Sequence, residues 1–249
     1  MHKVDHRLYE SARRVHVFFR RHGFYPVAIA TGLCVSLFAT RAYLSRTWIF
    51  SFLLWNLFLA WVPYLCSLGV ALLYQRHPRR WWALLPPAVV GLAFFPNAPY
   101  IITDFLHLAE RLPIPLWFDV GMLASFAWTG IVLAVYALRI LQNVARVWIG
   151  STLSWGFVLA ILGASGVGIY LGRFLRWNSW DLASQPGAIL YDILGPLRSP
   201  LAHPRAIGVT LLFSALLLVC YLAVTAGPRK PEEFLDADEG SFLDADERR

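Results

Sequence analysis

Asp104, His107 and Glu110 follow one another at three-residue spacing and are the side chains best suited to acid–base chemistry. A histidine titrates near neutral pH, and a neighbouring carboxylate can orient its imidazole for proton transfer. The same spacing also places polar residues along one side of a helix. The pattern therefore predicts either a catalytic group or the solvated face of an interfacial helix, with cation binding as a weaker alternative.

A second segment, GRFLRWNSWD at residues 172–181, combines arginines with tryptophans. Read as a helix, it presents two guanidinium groups and two indole rings on one face, from Arg173, Arg176, Trp177 and Trp180. Guanidinium groups between indole walls suit a phosphate, a carboxylate or a lipid headgroup. Further hydrogen-bonding groups flank this face at Asn178, Ser179 and Asp181. The alternative is a set of snorkelling arginines and an aromatic belt at a membrane edge.

Two prolines interrupt the segment FFPNAPYIITDFLHLAER at residues 94–111. Pro96 and Pro99 bracket Asn97 and remove two amide donors, so helical hydrogen bonding must loosen there. At membrane depth the freed carbonyl groups need protein or water as partners, so we expect the break to face a polar cavity. Thr103 is expected to cap a new helix beyond the break, with the acid–base candidates on it.

Two polar residues fall inside apolar stretches and need partners. A carboxylate in a membrane is costly, so we expect Asp119 to pair with Arg173 or Arg176 at the same membrane edge. The alternative for Asp119 is a shallow, solvated position. Asn56 is expected to join helices by a hydrogen bond more readily than to contact a ligand.

The elements that must position these residues are membrane-spanning helices. The chain has 249 residues, of which 58% are hydrophobic and only 15% are charged, which excludes a disordered chain and a soluble enzyme of ordinary composition. The fold class is therefore an all-α, polytopic transmembrane helix bundle with short interfacial helices on its outer face. Six spans are predicted, at 24–44, 48–74, 81–95, 116–138, 149–171 and 206–224. The third is short and is expected to continue through Pro96 as a kinked helix.

The distribution of basic residues predicts the orientation. If the N-terminus is cytoplasmic, 15 of the 22 lysines and arginines fall on the cytoplasmic side, so both termini are predicted to be cytoplasmic. Residues 1–23 form a predicted basic amphipathic arm on the inner leaflet, and residues 24–226 the membrane domain. Residues 227–249 carry the repeated motif FLDADE and are predicted to be an acidic, disordered tail.

Composition also constrains the partners. No basic cluster is interleaved with aromatics in the manner of a nucleic-acid site, so membrane lipids are the expected partners and nucleic acid is not. Cys34, Cys66 and Cys220 lie in apolar runs and are interpreted as small apolar residues rather than a disulfide framework. Cofactors and the oligomeric state stay open.

The runs FFPNAPYIITDFLHL and YLGRFLRWNSWD resemble the domain of unknown function 1361 family. The resemblance extends over residues 53–224. It implies an integral membrane fold and a bacterial source, and hence the bacterial cytoplasmic (inner) membrane. It implies no activity and assigns no functional residue.

These observations together predict an outward-facing polar pocket that binds an anionic or lipid-linked small molecule. Arg173 and Arg176 would hold the anion, Trp177 and Trp180 would wall its apolar part, and Asp104 with His107 would handle protons or a cation. Asn97, Asp119, Asn178 and Asp181 complete the predicted binding residues. Two other classes stay open: a transporter, and a membrane-complex scaffold or sensory subunit without catalysis.

Overall fold

The computed structural model describes residues 2–225, and the side chains of residues 9, 10 and 12–225. Within that range the chain is all-α, as predicted. The α-helices are α1 (His2–Arg21), α2 (Phe24–Ser45), α3 (Ser51–Arg76), α4 (Leu85–Phe94), α5 (Asn97–Tyr100), α6 (Leu116–Phe174), α7 (Asp181–Ser184), α8 (Pro186–Arg198) and α9 (Pro204–Thr225). Short 3₁₀ helices cover Trp81–Leu84, Ile101–His107 and Pro200–Ala202.

Between residues 2 and 225, five helical segments are long and apolar enough to cross a membrane. They are Phe24–Ser45, Ser51–Arg76, Trp81–His107, Leu116–Phe174 and Pro204–Thr225. The third segment runs through Pro96, which confirms the predicted continuation beyond residue 95. The predicted fourth and fifth spans belong to one element, α6, so the expected loop between them is instead helical.

α6 has 59 residues and a single break, at Gly150, where φ is 77° and ψ is 174°. A straight helix of that length would measure roughly 90 Å. Its ends nevertheless contact adjoining parts of the bundle: Asp119 pairs with Arg41 near the end of α2, and Arg173 pairs with Asp104 beside the start of α3. α6 therefore folds back at Gly150, a conformation that glycine adopts without steric cost, and its two parts form a hairpin.

The core lies where α3, α6 and α9 pack together, and α2 and α5 complete it. Close approach of the proline-containing segment to α6 depends on two glycines. A Cβ at Gly130 would overlap the carbonyl oxygen of Ala98, and a Cβ at Gly168 would lie 2.7 Å from Pro96. These contacts hold the segment between residues 96 and 107 against both parts of the α6 hairpin.

Most of the predicted N-terminal arm is covered by α1 (His2–Arg21), which ends at a tight corner with α2, and the position of this arm on the inner leaflet stays a prediction. Gly23 has a φ of 76° there, and the Tyr64 hydroxyl donates to the carbonyl of His22 (3.1 Å). Burial, with a further contribution from Arg21, lowers the pKa of His22 despite its hydrogen bond to the Phe18 carbonyl. The predicted acidic tail at 227–249 lies outside the described residues.

Candidate functional site

A cavity of about 610 Å³ lies at the end of the bundle where α3 begins and α6 ends. Its walls come from the first turns of α3, the end of α4, the proline break, the last turns of α6, the turn after α6, and α8. The volume falls within the range of roughly 300–1,000 Å³ that is typical of small-molecule sites. The polar side chains in the wall are those of Asn56, Asn97, Tyr100, Arg176, Asn178 and Ser179, alongside the indoles of Trp55, Trp177 and Trp180.

The proline break forms one wall of this cavity. Pro96 has no amide hydrogen, and the carbonyl of Phe94 accepts a hydrogen bond from the side-chain amide of Asn97 (3.0 Å). The same amide group donates to the hydroxyl of Ser179 (2.8 Å). The side-chain amide of Asn97 therefore provides the Phe94 carbonyl with a donor and joins the proline break to the turn after α6. The side-chain carbonyl oxygen of Asn97 is a candidate acceptor for a ligand.

The turn after α6 differs from the predicted helix. α6 ends at Phe174, and Arg176 adopts a left-handed conformation with a φ of 62°. The backbone amide of Trp177 then donates back to the Leu171 carbonyl (3.1 Å), and its indole donates to Asp192 on α8 (2.8 Å). The helical reading of residues 173–180 was wrong because the backbone reverses at Arg176.

The reversal still gathers much of the predicted anion site. Arg176, Trp177, Asn178 and Trp180 line the cavity, as does Asn97. Asp181 is outside the lining and instead accepts hydrogen bonds from the backbone and side-chain amides of Asn178 (2.7 and 3.3 Å). This bonding fixes the turn that presents the lining residues.

Arg173 stands behind the cavity wall in a buried polar network. Its guanidinium group donates to Asp104 (2.6 Å) and to the hydroxyl of Thr103 (2.8 Å), and it lies 4.7 Å from the centre of the Tyr100 ring. The other carboxylate oxygen of Asp104 accepts from Asn56 (2.8 Å). Since Asn56 and Tyr100 both line the cavity, two side chains connect the ion pair to it.

The three predicted acid–base residues occupy different environments. Asp104 is only 1% exposed and is held by Arg173 and Asn56, whereas His107 and Glu110 are exposed. The imidazole of His107 packs beside the Phe52 ring, with 4.9 Å between the ring centres. The predicted helix over these residues is also wrong, because the 3₁₀ helix ends at His107 and Leu108 is extended. Their catalytic role stays a prediction.

The predicted partner of Asp119 is corrected by the structure. Asp119 forms a two-pronged ion pair with Arg41 of α2 (2.8 and 3.2 Å), not with Arg173 or Arg176. Arg41 also donates to the hydroxyls of Ser45 and Thr47. Asp119 is 1% exposed and does not line the cavity, so it belongs to the packing of α2 on α6.

Arg176 is the one charged residue in the cavity lining formed by residues 2–225, and this exposed arginine makes no ion pair with any described residue. Two carboxylates lie behind the lining: Asp181 accepts hydrogen bonds from Asn178, and Asp192 accepts one from the Trp177 indole. Within the described lining, the charge presented to the cavity is therefore the positive charge of Arg176, among aromatic and amide groups.

Metal binding has no support in the part of the chain that the structure describes, where no three His, Cys, Asp or Glu side chains cluster. Sequence reasoning missed Trp55 and Tyr100 as lining residues and Arg41 as a buried cation. For Arg41 a signal existed, because a charge within an apolar helix requires a partner. Asn56 was expected to join helices, and it both joins α3 to Asp104 and faces the cavity.

Comparisons with known proteins give a family and no activity. No curated protein and no solved structure matches the chain. The sequence model described as "Protein of unknown function (DUF1361)" matches residues 55–220, which include every residue that lines the cavity. The chain therefore belongs to the DUF1361 family, as its proline and arginine–tryptophan motifs indicated.

Proposed function

We propose that this protein is a multi-pass protein of a bacterial cytoplasmic membrane and binds an anionic or lipid-linked small molecule on its outer side. The five apolar helical segments support membrane insertion, and the α6 hairpin supplies a sixth crossing. The basic residues favour cytoplasmic termini. With that orientation the cavity opens at the outer side, because it lies where α3 begins and α6 ends.

The observation that carries the proposal is that Arg176, which forms no ion pair within residues 2–225, lines a cavity of about 610 Å³. A guanidinium group donates to two oxygens of a phosphate or carboxylate at once. The indoles of Trp177 and Trp180 supply flat apolar walls beside it, and the carbonyl oxygen of Asn97 supplies an acceptor for a hydroxyl group. Such a site selects a molecule with an anionic group next to an apolar body.

Binding is better supported than catalysis by the placement of the acid–base candidates. Asp104 is committed to Arg173 and Asn56, and no hydrogen bond joins it to His107 among the described residues. We therefore propose that the ion pair of Asp104 and Arg173 positions the cavity wall through Asn56. A proton-transfer role for Asp104, His107 and Glu110 remains a separate hypothesis.

The test is retention of the ligand by purified protein, measured by native mass spectrometry from a mild non-ionic detergent. Wild-type protein is expected to carry an anionic species. Arg176→Gln should lose it, because charge-assisted hydrogen bonds contribute roughly 1.5–3 kcal/mol, a factor of about ten to a hundred in affinity.

Arg198→Gln is the matched control, since Arg198 is an exposed arginine of α8 outside the cavity lining. It should retain the species as wild type does. Equal retention by wild type and Arg176→Gln, or a wild-type protein that carries nothing anionic, would contradict the proposal.

A further inference from the structure

One face of the second part of α6 forms a wall of the cavity with small residues at four-residue spacing. Ala164, Gly168 and Gly172 all line the cavity. The two glycines are covered by the proline-containing segment: a Cβ at Gly168 would lie 2.7 Å from Pro96, and one at Gly172 would lie 3.2 Å from the Tyr100 ring. Near the end of α6, this wall is therefore closed to the surroundings.

Further from the end of α6, at Ala164, the same wall is exposed to the surroundings. Ala164 is exposed although it lines the cavity. α4 packs chiefly on α3 and on the 3₁₀ helix Trp81–Leu84, and it contributes Leu92 and Ala93 to the cavity, both only partly buried. On the side of the contact between Pro96 and Gly168 that lies away from the end of α6, the cavity is bordered by Ala93 of α4 and the exposed Ala164 of α6, which makes the space between these helices the candidate for a side opening.

The depth of the cavity matches one leaflet of a bilayer. Ala164 lies ten residues before the end of α6, which corresponds to about 15 Å along the helix. The hydrocarbon core of a bilayer is about 30 Å thick, so one leaflet contributes about half of that. The charged and polar groups, Arg176 and Asn178, lie beyond the end of α6, and the deep part is lined by apolar side chains such as Leu59 and Val167.

We infer that the ligand is a single-chain lipid with a phosphate or carboxylate headgroup, which enters the cavity sideways from the membrane between α4 and α6. The inference rests on the proposed function and adds the class of ligand and its route. The headgroup sits at Arg176, and the hydrocarbon chain extends past Gly168 towards Ala164. The cavity of about 610 Å³ has the volume of roughly 20 water molecules, which suits one chain and a small headgroup.

The main competitor is a water-soluble anion that binds Arg176 from the aqueous side. Both ligands share the headgroup chemistry, but only the lipid uses the apolar depth and the side opening. Transfer of a chain from water contributes about 0.8 kcal/mol per methylene, and a lipid gains this free energy already on entering the membrane. Removing the chain from the probe therefore separates the two sources when it is combined with the Ala164 variants, which change the cavity and leave partitioning into the membrane unchanged.

The experiment compares two phosphate probes on the protein in phosphatidylcholine nanodiscs, with native mass spectrometry as the readout. Oleoyl lysophosphatidic acid is expected to bind at least a hundredfold more tightly than glycerol 3-phosphate. Dioleoyl phosphatidic acid, with two chains, should bind less tightly than the single-chain probe. Comparable binding of glycerol 3-phosphate, tighter binding of the two-chain lipid, or no binding of the single-chain probe would overturn the inference.

Variants at the side opening test the route. Ala164→Leu and Ala164→Trp place bulk on an exposed residue, and each should weaken or slow binding of oleoyl lysophosphatidic acid at least tenfold. Leu159→Trp is the control, because Leu159 is also exposed and lies on the same helix, about 140° around its axis from Ala164. Unchanged binding by both Ala164 variants would overturn the lateral route.

The two levels of the proposal fail in different ways. If Arg176→Gln weakens both phosphate probes equally and the chain makes no difference, the anion site stands and the lipid inference falls. If Arg176→Gln leaves binding of the lysolipid unchanged, the proposed function falls.

Discussion

Arg41 with Asp119 and Arg173 with Asp104 are two buried ion pairs at the same end of the bundle, and they differ in what surrounds them. Arg41 is 2% exposed and contacts both carboxylate oxygens of Asp119, two hydroxyls, and the Phe50 ring at 4.4 Å. Arg173 is 13% exposed, and it shares Asp104 with Asn56, which lines the cavity.

The elements that carry the pairs differ as well. The first pair joins α2 to the first turn of α6, and both elements are continuous helix at these positions. The second pair joins the 3₁₀ helix beyond the proline break to the last turn of α6. Identical chemical groups thus lie between two continuous helices in one place and behind the wall of a cavity in the other, and the difference is in the neighbouring side chains.

The largest expected effect is on the first pair. Asp119→Leu leaves the guanidinium group of Arg41 buried without a counter-charge, and breaking a buried pair in this way costs about 3–5 kcal/mol. The apparent melting temperature in detergent, followed by intrinsic fluorescence, should fall sharply.

The double variant Arg41→Met with Asp119→Leu is the matched control. It replaces the pair by apolar side chains, so most of the stability should return. Ligand retention by the double variant should equal that of wild type, because neither residue lines the cavity. A stable Asp119→Leu, or a double variant that loses the ligand, would contradict the assignment of this pair to the packing of α2 on α6.

Breaking the second pair should lower stability less and should also weaken binding in the cavity. Asp104→Leu removes acceptors from Arg173 and Asn56, and hydrogen bonds to charged groups contribute roughly 1.5–3 kcal/mol. The loss of stability should be smaller than at Asp119, because the guanidinium group left without its counter-charge is 13% exposed at Arg173 and only 2% exposed at Arg41. Binding of the cavity ligand should fall, since the side chain of Asn56 loses its anchor.

The corresponding double variant, Asp104→Leu with Arg173→Met, separates the two pairs further. It leaves Asn56 and Thr103 without the charged partners that they now contact, so neither stability nor binding should return. Full recovery of ligand retention in this double variant would show that the network does not support the cavity wall.

The sequence predicted what depends on composition and on local chemistry. The apolar runs predicted an all-α membrane fold, and Pro96 predicted the broken helix because proline lacks an amide hydrogen wherever it occurs. The cluster around Arg176 and Trp177 was predicted as an anion site from residue types alone; the structure places both residues in the cavity lining, and their binding of an anion stays a prediction.

What the sequence did not predict depends on which helices meet. Asp119 is 78 residues from Arg41, and only the packing of α2 on α6 decides that this arginine, rather than Arg173, becomes its partner. The backbone reversal at Arg176 was missed for a similar reason. Trp177 holds the left-handed conformation of Arg176, because its backbone amide donates to Leu171 and its indole donates to Asp192 on α8. Helical periodicity contains no information about such contacts.

The smallest expected effect concerns the segment that carries Asp104. Gly130 allows the carbonyl of Ala98 to touch α6, so Gly130→Ala must displace the proline-containing segment. Such overpacking costs about 1–3 kcal/mol. Gly121→Ala is the matched control on the same helix, because Gly121 is exposed and a Cβ there meets nothing within 4 Å. Only Gly130→Ala should lower the melting temperature and weaken ligand retention.

Combining Gly130→Ala with a break in each pair extends this test. Gly130 lies eleven residues from Asp119, about 16 Å along α6, so the stability losses of Gly130→Ala and Asp119→Leu should add to within about 0.5 kcal/mol. When Gly130→Ala is combined with Asp104→Leu, the double variant should lose less stability than the two single variants lose in sum, because both changes release the same segment from α6. Additivity in both combinations would mean that the contact at Gly130 and the ion pair of Asp104 hold the chain independently, and that the cavity wall is not one mechanical unit.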